Sequence, residues 1–85
     1  MRYVVLVDYT DMEARAKVLD RHRAYIEAAR QRGVVTESGP FEDGKGGMYI
    51  LKLPDEAAAR DFVANDPYQE AHLRITLRPW KSTAG

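Results

Sequence analysis

The stretch "MYILKLPDEAAARDFVANDPYQEAHLRITLRPW", residues 48–80, decides the fold of this chain of 85 residues. It begins with an apolar run, residues 48–53, that is typical of a strand. A segment suited to a helix follows, and residues 73–80 then alternate between apolar and polar side chains, which predicts another strand. Pro79 places this last strand at a sheet edge, because proline has no N–H to donate to a neighbour. The stretch therefore predicts strand, helix, strand.

The helix in this stretch has a recognisable start. We expect Pro54, Asp55 and Glu56 in its first turn, since proline lacks the donor that would go unpaired there and acids favour the positive end of a helix. The helix should continue to about Asn65.

The N-terminal half repeats the same alternation of strand and helix. The run from Val4 to Val7 is apolar on both faces until Asp8, as a central strand buried between two layers should be. Thr10 and Glu13 match a capping box, which predicts that a helix begins near Asp11. Its apolar stripe is expected to be Met12, Ala16, Leu19, Ile26 and Ala29, and Gly33 supplies the left-handed residue that ends helices.

A hairpin should connect the two halves. Residues 34–41 predict a second strand that is broken at Gly39-Pro40, and residues 42–47 predict a turn or loop before the strand at 48–53. The complete order is βαββαβ, an α+β ferredoxin-like fold with an antiparallel sheet and both helices on one face. The other face, with residues such as Val4 or Leu6 and Tyr49 or Met48 depending on register, needs a cover. We expect a homodimer in which the two sheets pack face to face.

Composition narrows the class of protein further. A chain of 85 residues is one domain with a thin core, because folding at this size buries only roughly 60 to 65% of the unfolded surface. Its 13 basic and 13 acidic residues are interleaved, so nucleic acid is not an expected partner. The absence of cysteine excludes a thiolate nucleophile and fits a cytoplasmic location. Asp8 interrupts the N-terminal apolar run well short of a membrane span, so no membrane association is expected.

His22 and Asp66 are the two candidate catalytic residues. His22 follows the stripe of the first helix, since Leu19, His22, Ile26 and Ala29 are three or four residues apart, so its imidazole should point toward the sheet. Taken alone, such a histidine is more often bonded to a backbone carbonyl in the core. Asp66 before Pro67 can simply end the second helix and cap a short one, with Gln69 closing a capping box. Side-by-side helices permit contact between His22 and Asp66, but the sequence does not require it.

Four segments of the chain together resemble the YciI family of YCII-related proteins, over nearly the whole length. They are "RHRAYIEAARQRGVVTESGP", "GGMYILKL", "DEAAARDFVANDPYQEAHL" and "ITLRPW". The resemblance implies a ferredoxin-like fold that dimerises through its sheets as a dimeric α-β barrel, with one domain over residues 1–81 and a short tail at 82–85. It also implies that His22 and Asp66 form a His-Asp dyad in an active site. His72 departs from the family, in which glycine or another small residue is more usual at that position.

Other residues are weaker site candidates. Ser38 and Tyr68 could bind substrate, although a serine at a strand end usually satisfies its own turn and a half-buried tyrosine is usually packing. Tyr9 and Arg15 lie near the predicted mouth of the site. A Ser-His-Asp hydrolase is disfavoured because no nucleophile elbow surrounds Ser38.

Phosphate and metal sites are both disfavoured. The loop containing Lys45 lacks the phosphate-loop pattern, so Lys45 is interpreted as a solvated turn residue. A metal held by His22, His72 and Asp66 is disfavoured because the histidines lack the usual short spacing. Trp80 is interpreted as an anchor of the last strand or as a dimer contact.

Two candidate functions are compatible with these sequence features. In the first, the protein is a cofactor-independent enzyme of lyase or isomerase type, and a His-Asp dyad moves a proton on a small cyclic or phenolic molecule. Activities attributed to relatives in the family, dehydrochlorination and lactone isomerisation, are of this kind. In the second, the same pocket binds a small molecule without chemistry, or the chain is a regulatory dimer. The fold alone does not choose between them.

Overall fold

The structure of the chain is a computed structural model that describes residues 1–83. In chain order the elements are β1 (Arg2–Asp8), α1 (Met12–Gln31), β2 (Val35–Pro40), β3 (Gly46–Lys52), α2 (Glu56–Ala64), a short 3-10 helix (Pro67–Ala71) and β4 (Arg74–Trp80). The four strands form one antiparallel sheet in the order β2-β3-β1-β4. The predicted ferredoxin-like α+β fold is confirmed, with β1 in the centre and β4 at an edge.

The core lies between the sheet and the two helices. Tyr3, Val5 and Val7 of β1 are buried and pack with apolar residues of both helices, which shows that the helices share this face. The alternate residues Val4 and Leu6 point to the opposite side and are only half-buried. The sheet is therefore covered on one face within the protomer.

The strand register settles which residues lie on the uncovered side. Val4 pairs with Ile50, Leu6 pairs with Met48, and directly paired residues of antiparallel strands share a face. We call this side of the sheet, carrying Val4, Leu6, Met48 and Ile50, the open face. Tyr49, which the sequence left between the two faces, points toward the helices instead and is 2% exposed.

The first helix begins one residue later than the capping prediction. Asp11, and not Thr10, is the N-cap, because its backbone is extended and its Oδ1 accepts from the N–H of Ala14 at 2.9 Å. The N–H of Thr10 is instead used in a tight turn, where it donates to the carbonyl of Asp8. The predicted capping box with Glu13 is therefore wrong, although the helix starts within one residue of the expected Asp11.

The apolar stripe of α1 also differs in its first turns. Met12 is 52% exposed and Ala16 is exposed, whereas Val18 is buried together with Ile26 and Ala29. Including Met12 and Ala16 in the core was wrong.

The hairpin between β2 and β3 is tighter than the sequence predicted. Gly39 and Pro40 continue the ladder opposite Met48 and Gly47, so β2 is not broken there, and the irregularity lies between Val35 and Glu37. Proline is tolerated because β2 is an edge strand.

The third strand also begins earlier than predicted. Gly46 and Gly47 belong to β3 and not to the loop. At Gly46 a Cβ would collide with the backbone oxygen of Val7, so only glycine fits this part of the ladder.

The second helix starts at Glu56, with Asp55 as its N-cap accepting from the N–H of Ala58 at 2.8 Å. Pro54 therefore precedes the helix and does not lie in its first turn. None of the helices within residues 1–83 has the length and apolar character needed to span a bilayer. The boundary predicted between residues 81 and 82 stays a prediction, and residues 84–85 of the predicted tail lie outside the described residues.

Candidate active site

Two elements bring His22 and Asp66 together. His22 lies in the middle of α1, one turn before the buried Ile26, and its ring faces the same side as that stripe. Asp66 follows α2 and caps the short 3-10 helix, with the extended backbone (φ −69°, ψ 128°) that a residue before proline prefers. The end of the second helix thus meets the middle of the first. His22 Nδ1 lies 2.8 Å from Asp66 Oδ1.

Asp66 is a buried carboxylate in which both oxygens accept hydrogen bonds. It is 1% exposed, and its side chain accepts from Tyr68 N–H (2.9 Å, to Oδ1) and from the Tyr49 hydroxyl (2.9 Å, to Oδ2), in addition to its contact with His22. A buried charge is tolerated only when it is paired and hydrogen-bonded in this way. The predicted capping box with Gln69 does not form, because the side-chain amide of Gln69 donates from its Nε2 to the carbonyl of Val63.

Tyr49 acts as a permanent donor to this carboxylate. Burial, and then the negative charge of Asp66, raise the pKa of the Tyr49 hydroxyl far above its ordinary value. The phenol therefore keeps its proton at any pH at which an enzyme would work. Its role is to hold Asp66 Oδ2, which leaves Oδ1 directed at the imidazole.

The imidazole of His22 is oriented from two sides. A carboxylate only accepts hydrogen bonds, so His22 Nδ1 carries a proton and donates to Asp66, and Nε2 is the nitrogen that Asp66 does not engage. The ring stacks on Tyr68 with centroids 3.6 Å apart and planes 2° apart. Its side chain keeps 13% exposure. The arrangement fixes both the tautomer and the plane of the ring.

An aromatic and cationic wall continues from this stack. The Tyr68 hydroxyl accepts from Arg15 Nε at 3.0 Å, and the Arg15 guanidinium lies 3.9 Å from the centroid of the Tyr9 ring. Tyr9 meets Tyr68 edge to face, with centroids 6.2 Å apart. Tyr9 fits against the sheet because of Gly47, where a Cβ would stand 2.7 Å from the Tyr9 hydroxyl.

These side chains line a cleft of about 380 Å³ between α1 and the ends of the strands. The size is at the lower end of the range for small-molecule sites. Of the predicted residues, the structure places five at its surface, while Asp66 lies beneath them, behind His22. The five are Tyr9, Arg15, His22, Ser38 and Tyr68.

The remaining residues singled out in the sequence do not line the cleft. His72 ends the 3-10 helix in a left-handed conformation (φ 53°) and is exposed. Lys45 lies in the β2–β3 turn, where its N–H donates to the side chain of Asp43. Trp80 lies on the same side of the sheet as the open face and is 45% exposed. Within residues 1–83 no three acidic or histidine side chains converge into a metal-binding group.

The sequence reading missed two kinds of site residue. The sequence leaves open which face of the sheet Tyr49 occupies. A tyrosine in a buried strand needs a hydrogen-bond partner for its hydroxyl, and this requirement was the signal that could have indicated Asp66. Arg23, Glu27 and Arg30 line the cleft from α1, and no sequence signal distinguished them from solvated helix charges. Their position became visible only once β2 and β3 were seen opposite this face of the helix.

The fold and the cleft define a ferredoxin-like α+β domain with a small-molecule-sized site beside its helices. A family model described as the YCII-related domain matches residues 1–81, and the chain belongs to that family. No curated protein sequence matches the chain significantly.

The solved structures that are similar to the chain include the following two. One is 5-chloro-2-hydroxyhydroquinone dehydrochlorinase (TftG) from Burkholderia phenoliruptrix AC1100 in complex with 2,5-dihydroxybenzoquinone, with 21% identity, 95% of this chain and 94% of that chain covered, and a TM-score of 0.78. The other is an antibiotic biosynthesis monooxygenase, with 21% identity, 96% and 100% covered, and a TM-score of 0.55. At this identity the similarity shows the shared fold.

Proposed function

We propose that the protein is a cofactor-independent enzyme of lyase or isomerase type, in which His22 moves a proton on a small cyclic or phenolic molecule. The observation that carries the proposal is the contact of 2.8 Å between His22 Nδ1 and a fully buried Asp66, at the base of an open cleft. A structural histidine needs a hydrogen-bond partner, but it needs neither a cleft nor a stacked ring that fixes its plane. The similarity to a dehydrochlorinase solved with a dihydroxybenzoquinone supports the choice of substrate class.

Each residue has a distinct role in this proposal. His22 Nε2 takes a proton from the bound molecule or returns one to it, and the negative charge of Asp66 stabilises the imidazolium that forms. Asp66 is a positioning residue, since it acts through His22, and Tyr49 holds Asp66 in turn. Tyr9, Tyr68, Arg15 and Ser38 form the walls that orient the ring. A proton transfer of this kind requires no cofactor.

The test is turnover of a panel of chlorinated and hydroxylated hydroquinones, including 5-chloro-2-hydroxyhydroquinone. Four proteins are compared: the unmodified protein and the variants His22→Ala, Asp66→Asn and His72→Ala. We expect His22→Ala to reduce kcat/KM at least about 100-fold, because general acid-base catalysis contributes about 10² to 10⁴. Asp66→Asn should lower kcat more than it raises KM, and the ¹⁵N shifts of His22 should report a loss of the Nδ1–H tautomer. The matched control is His72→Ala, which alters the other histidine outside the cleft and should retain full activity.

Full turnover by His22→Ala would refute the catalytic role. Binding of panel members without turnover by the unmodified protein would instead favour the alternative of a non-catalytic binding module.

The same proposal includes a homodimer formed through the open face. Val4, Leu6 and Met48 are half-buried apolar side chains that no other layer within residues 1–83 covers, and Trp80 lies on the same side of the sheet. A second copy would place an identical apolar face against this one. A cytoplasmic location stays a prediction from the sequence.

A further inference from the structure

The cleft carries more positive charge than the rest of the chain. The chain as a whole is balanced, with 13 basic and 13 acidic residues, but three arginines line this one cavity against a single glutamate at its surface. Glu27 is already bound to Arg30, with contacts of 2.9 and 3.3 Å. The other two arginines of the cleft, Arg15 and Arg23, form no ion pair within the part of the chain that the structure describes. With the buried Asp66 behind His22 also counted, the three arginines face two carboxylates among the described residues, so the cleft keeps a net positive charge and neither Arg15 nor Arg23 is ion-paired.

Arg15 is built into the wall and is not a free surface arginine. Its guanidinium carbon lies over the Tyr9 ring, 3.9 Å from the centroid, and its Nε donates to the Tyr68 hydroxyl, so two contacts hold its position. These contacts use one of its five N–H donors. Within residues 1–83 the four donors on Nη1 and Nη2 have no protein acceptor. A fixed guanidinium with its outer fork unoccupied suits a planar, delocalised anion.

The anion would lie on the same wall as the reactive nitrogen. Tyr68 connects the two groups, since its hydroxyl binds Arg15 and its ring stacks on His22. Because Tyr68 is 2% exposed and one face of its ring is covered by His22, a ligand touches it only at its edge. A ring-shaped ligand lying along this edge would lie between the two groups, with an oxygen toward Arg15 and another position toward His22.

We infer that the substrate of this cleft is a six-membered ring that carries an anionic oxygen group, a carboxylate or an ionised enol, which Arg15 binds with support from Arg23. The inference rests on the proposed function, because it assigns a substrate class to the same site. It adds a charge requirement that neither the fold nor the His22–Asp66 contact implies. Arg23 is exposed and supplies long-range attraction, while Arg15 supplies the directional contact.

Binding of matched charged and neutral probes tests this requirement without any turnover. Isothermal titration calorimetry would compare 2,5-dihydroxybenzoate with 2,5-dihydroxybenzamide, and 2,5-dihydroxybenzoquinone, ionised at neutral pH, with its neutral dimethyl ether. The first pair probes a carboxylate and the second an enolate. We expect the anion to bind at least about tenfold more tightly in one of the pairs, as a charge-assisted arginine contact should give.

Three variants locate the source of the preference. Arg15→Gln should abolish it, Arg23→Gln should reduce it about two- to threefold, and added salt should weaken it in the unmodified protein. The matched control is Lys17→Gln, which removes one positive charge from the same helix at a residue that does not line the cleft, and should preserve the preference. Circular dichroism melting would verify that the variants are folded.

The outcomes separate this inference from the proposed function. Equal binding of anion and neutral partner in both pairs, or a preference that persists in a folded Arg15→Gln protein, would overturn the inference even if His22→Ala abolishes turnover. Conversely, an Arg15-dependent preference would stand if His22→Ala retained full turnover, and only the catalytic proposal would then fall.

Discussion

At the scale of single residues, the site depends on one buried carboxylate and the donors around it. Asp66 accepts from an imidazole, a phenol and a backbone N–H, and each donor comes from a different part of the chain or serves a different purpose. The backbone contact starts the 3-10 helix, the phenol of Tyr49 holds the carboxylate, and the imidazole of His22 receives its orientation. The same side chain is thus a helix cap and the partner of the candidate catalytic residue.

The first prediction concerns Tyr49 and high pH. Its folded pKa is raised, while in the unfolded chain the phenol loses its proton near the ordinary value of 10.0. The contribution of Tyr49 to the free energy of unfolding is therefore complete below about pH 10. As the pH rises further, this contribution falls by up to about 1.4 kcal/mol per pH unit. Tyr49→Phe should cost about 1 to 2 kcal/mol at pH 8 and should make the free energy of unfolding less sensitive to alkali.

Urea unfolding at pH 8, 10 and 11 measures both effects. An unchanged slope of stability against pH in the Tyr49→Phe protein would show that the buried phenol is not the group responsible.

At the scale of elements, the ends of helices α1 and α2 were only partly predictable. Asp11 and Asp55 act as N-caps by the same geometry, in which a side-chain oxygen accepts from the third N–H of the helix. For α1 the sequence offered two neighbouring residues of similar capping ability, Thr10 and Asp11, and the tight turn in which the N–H of Thr10 donates to the carbonyl of Asp8 decided between them. A one-residue difference of this kind leaves the helix face unchanged, so the position of His22 was still predicted.

The second prediction concerns the C-terminal end of the 3-10 helix. His72 has a φ of 53°, a left-handed conformation that costs a residue with a Cβ about 1 to 2 kcal/mol relative to glycine. Because glycine also loses more entropy on folding, we expect His72→Gly to raise the free energy of unfolding by about 0.5 to 1 kcal/mol. The comparison is Gly33→Ala at the end of α1, where φ is 78°. A Cβ added at Gly33 would have no atom within 4 Å, so this substitution should lower the free energy of unfolding through backbone conformation alone.

Chemical denaturation of the two variants beside the unmodified protein provides the measurement. Destabilisation by His72→Gly would mean that the imidazole makes a contact worth more than the strain.

At the scale of the whole molecule, the sheet has one covered and one open face. The helices cover Tyr3, Val5 and Val7, whereas Leu6 and Met48 have no layer above them in the part of the chain that the structure describes. A chain of this size has a small core, so covering a second apolar face would add a large share of its total buried surface. This is the physical basis for the proposed homodimer.

The third prediction concerns assembly. Leu6→Lys places a charge in the middle of the open face and should convert the dimer to a monomer in sedimentation velocity experiments. Met12→Lys is the matched control, since Met12 is an exposed apolar residue on α1, and it should remain dimeric. Trp80 provides a second readout, because this single tryptophan lies on the same side of the sheet and its emission should shift to longer wavelength in the monomer.

A monomeric unmodified protein at micromolar concentration, or identical assembly of the Leu6→Lys and Met12→Lys variants, would contradict dimerisation through this face.

The order of elements, the inward position of His22 and the edge position of β4 could be predicted from the sequence, because they depend on local periodicity and on proline. Three features became visible only in the folded chain: Gly46 and Gly47 belong to a strand, Tyr49 reaches Asp66, and Arg15 and Arg23 share a cleft with His22. Each of these depends on which strand or helix lies opposite. Local propensity describes a residue and its neighbours in the chain, whereas a site requires side chains that the sequence separates by 17 to 53 positions to meet within hydrogen-bond distance.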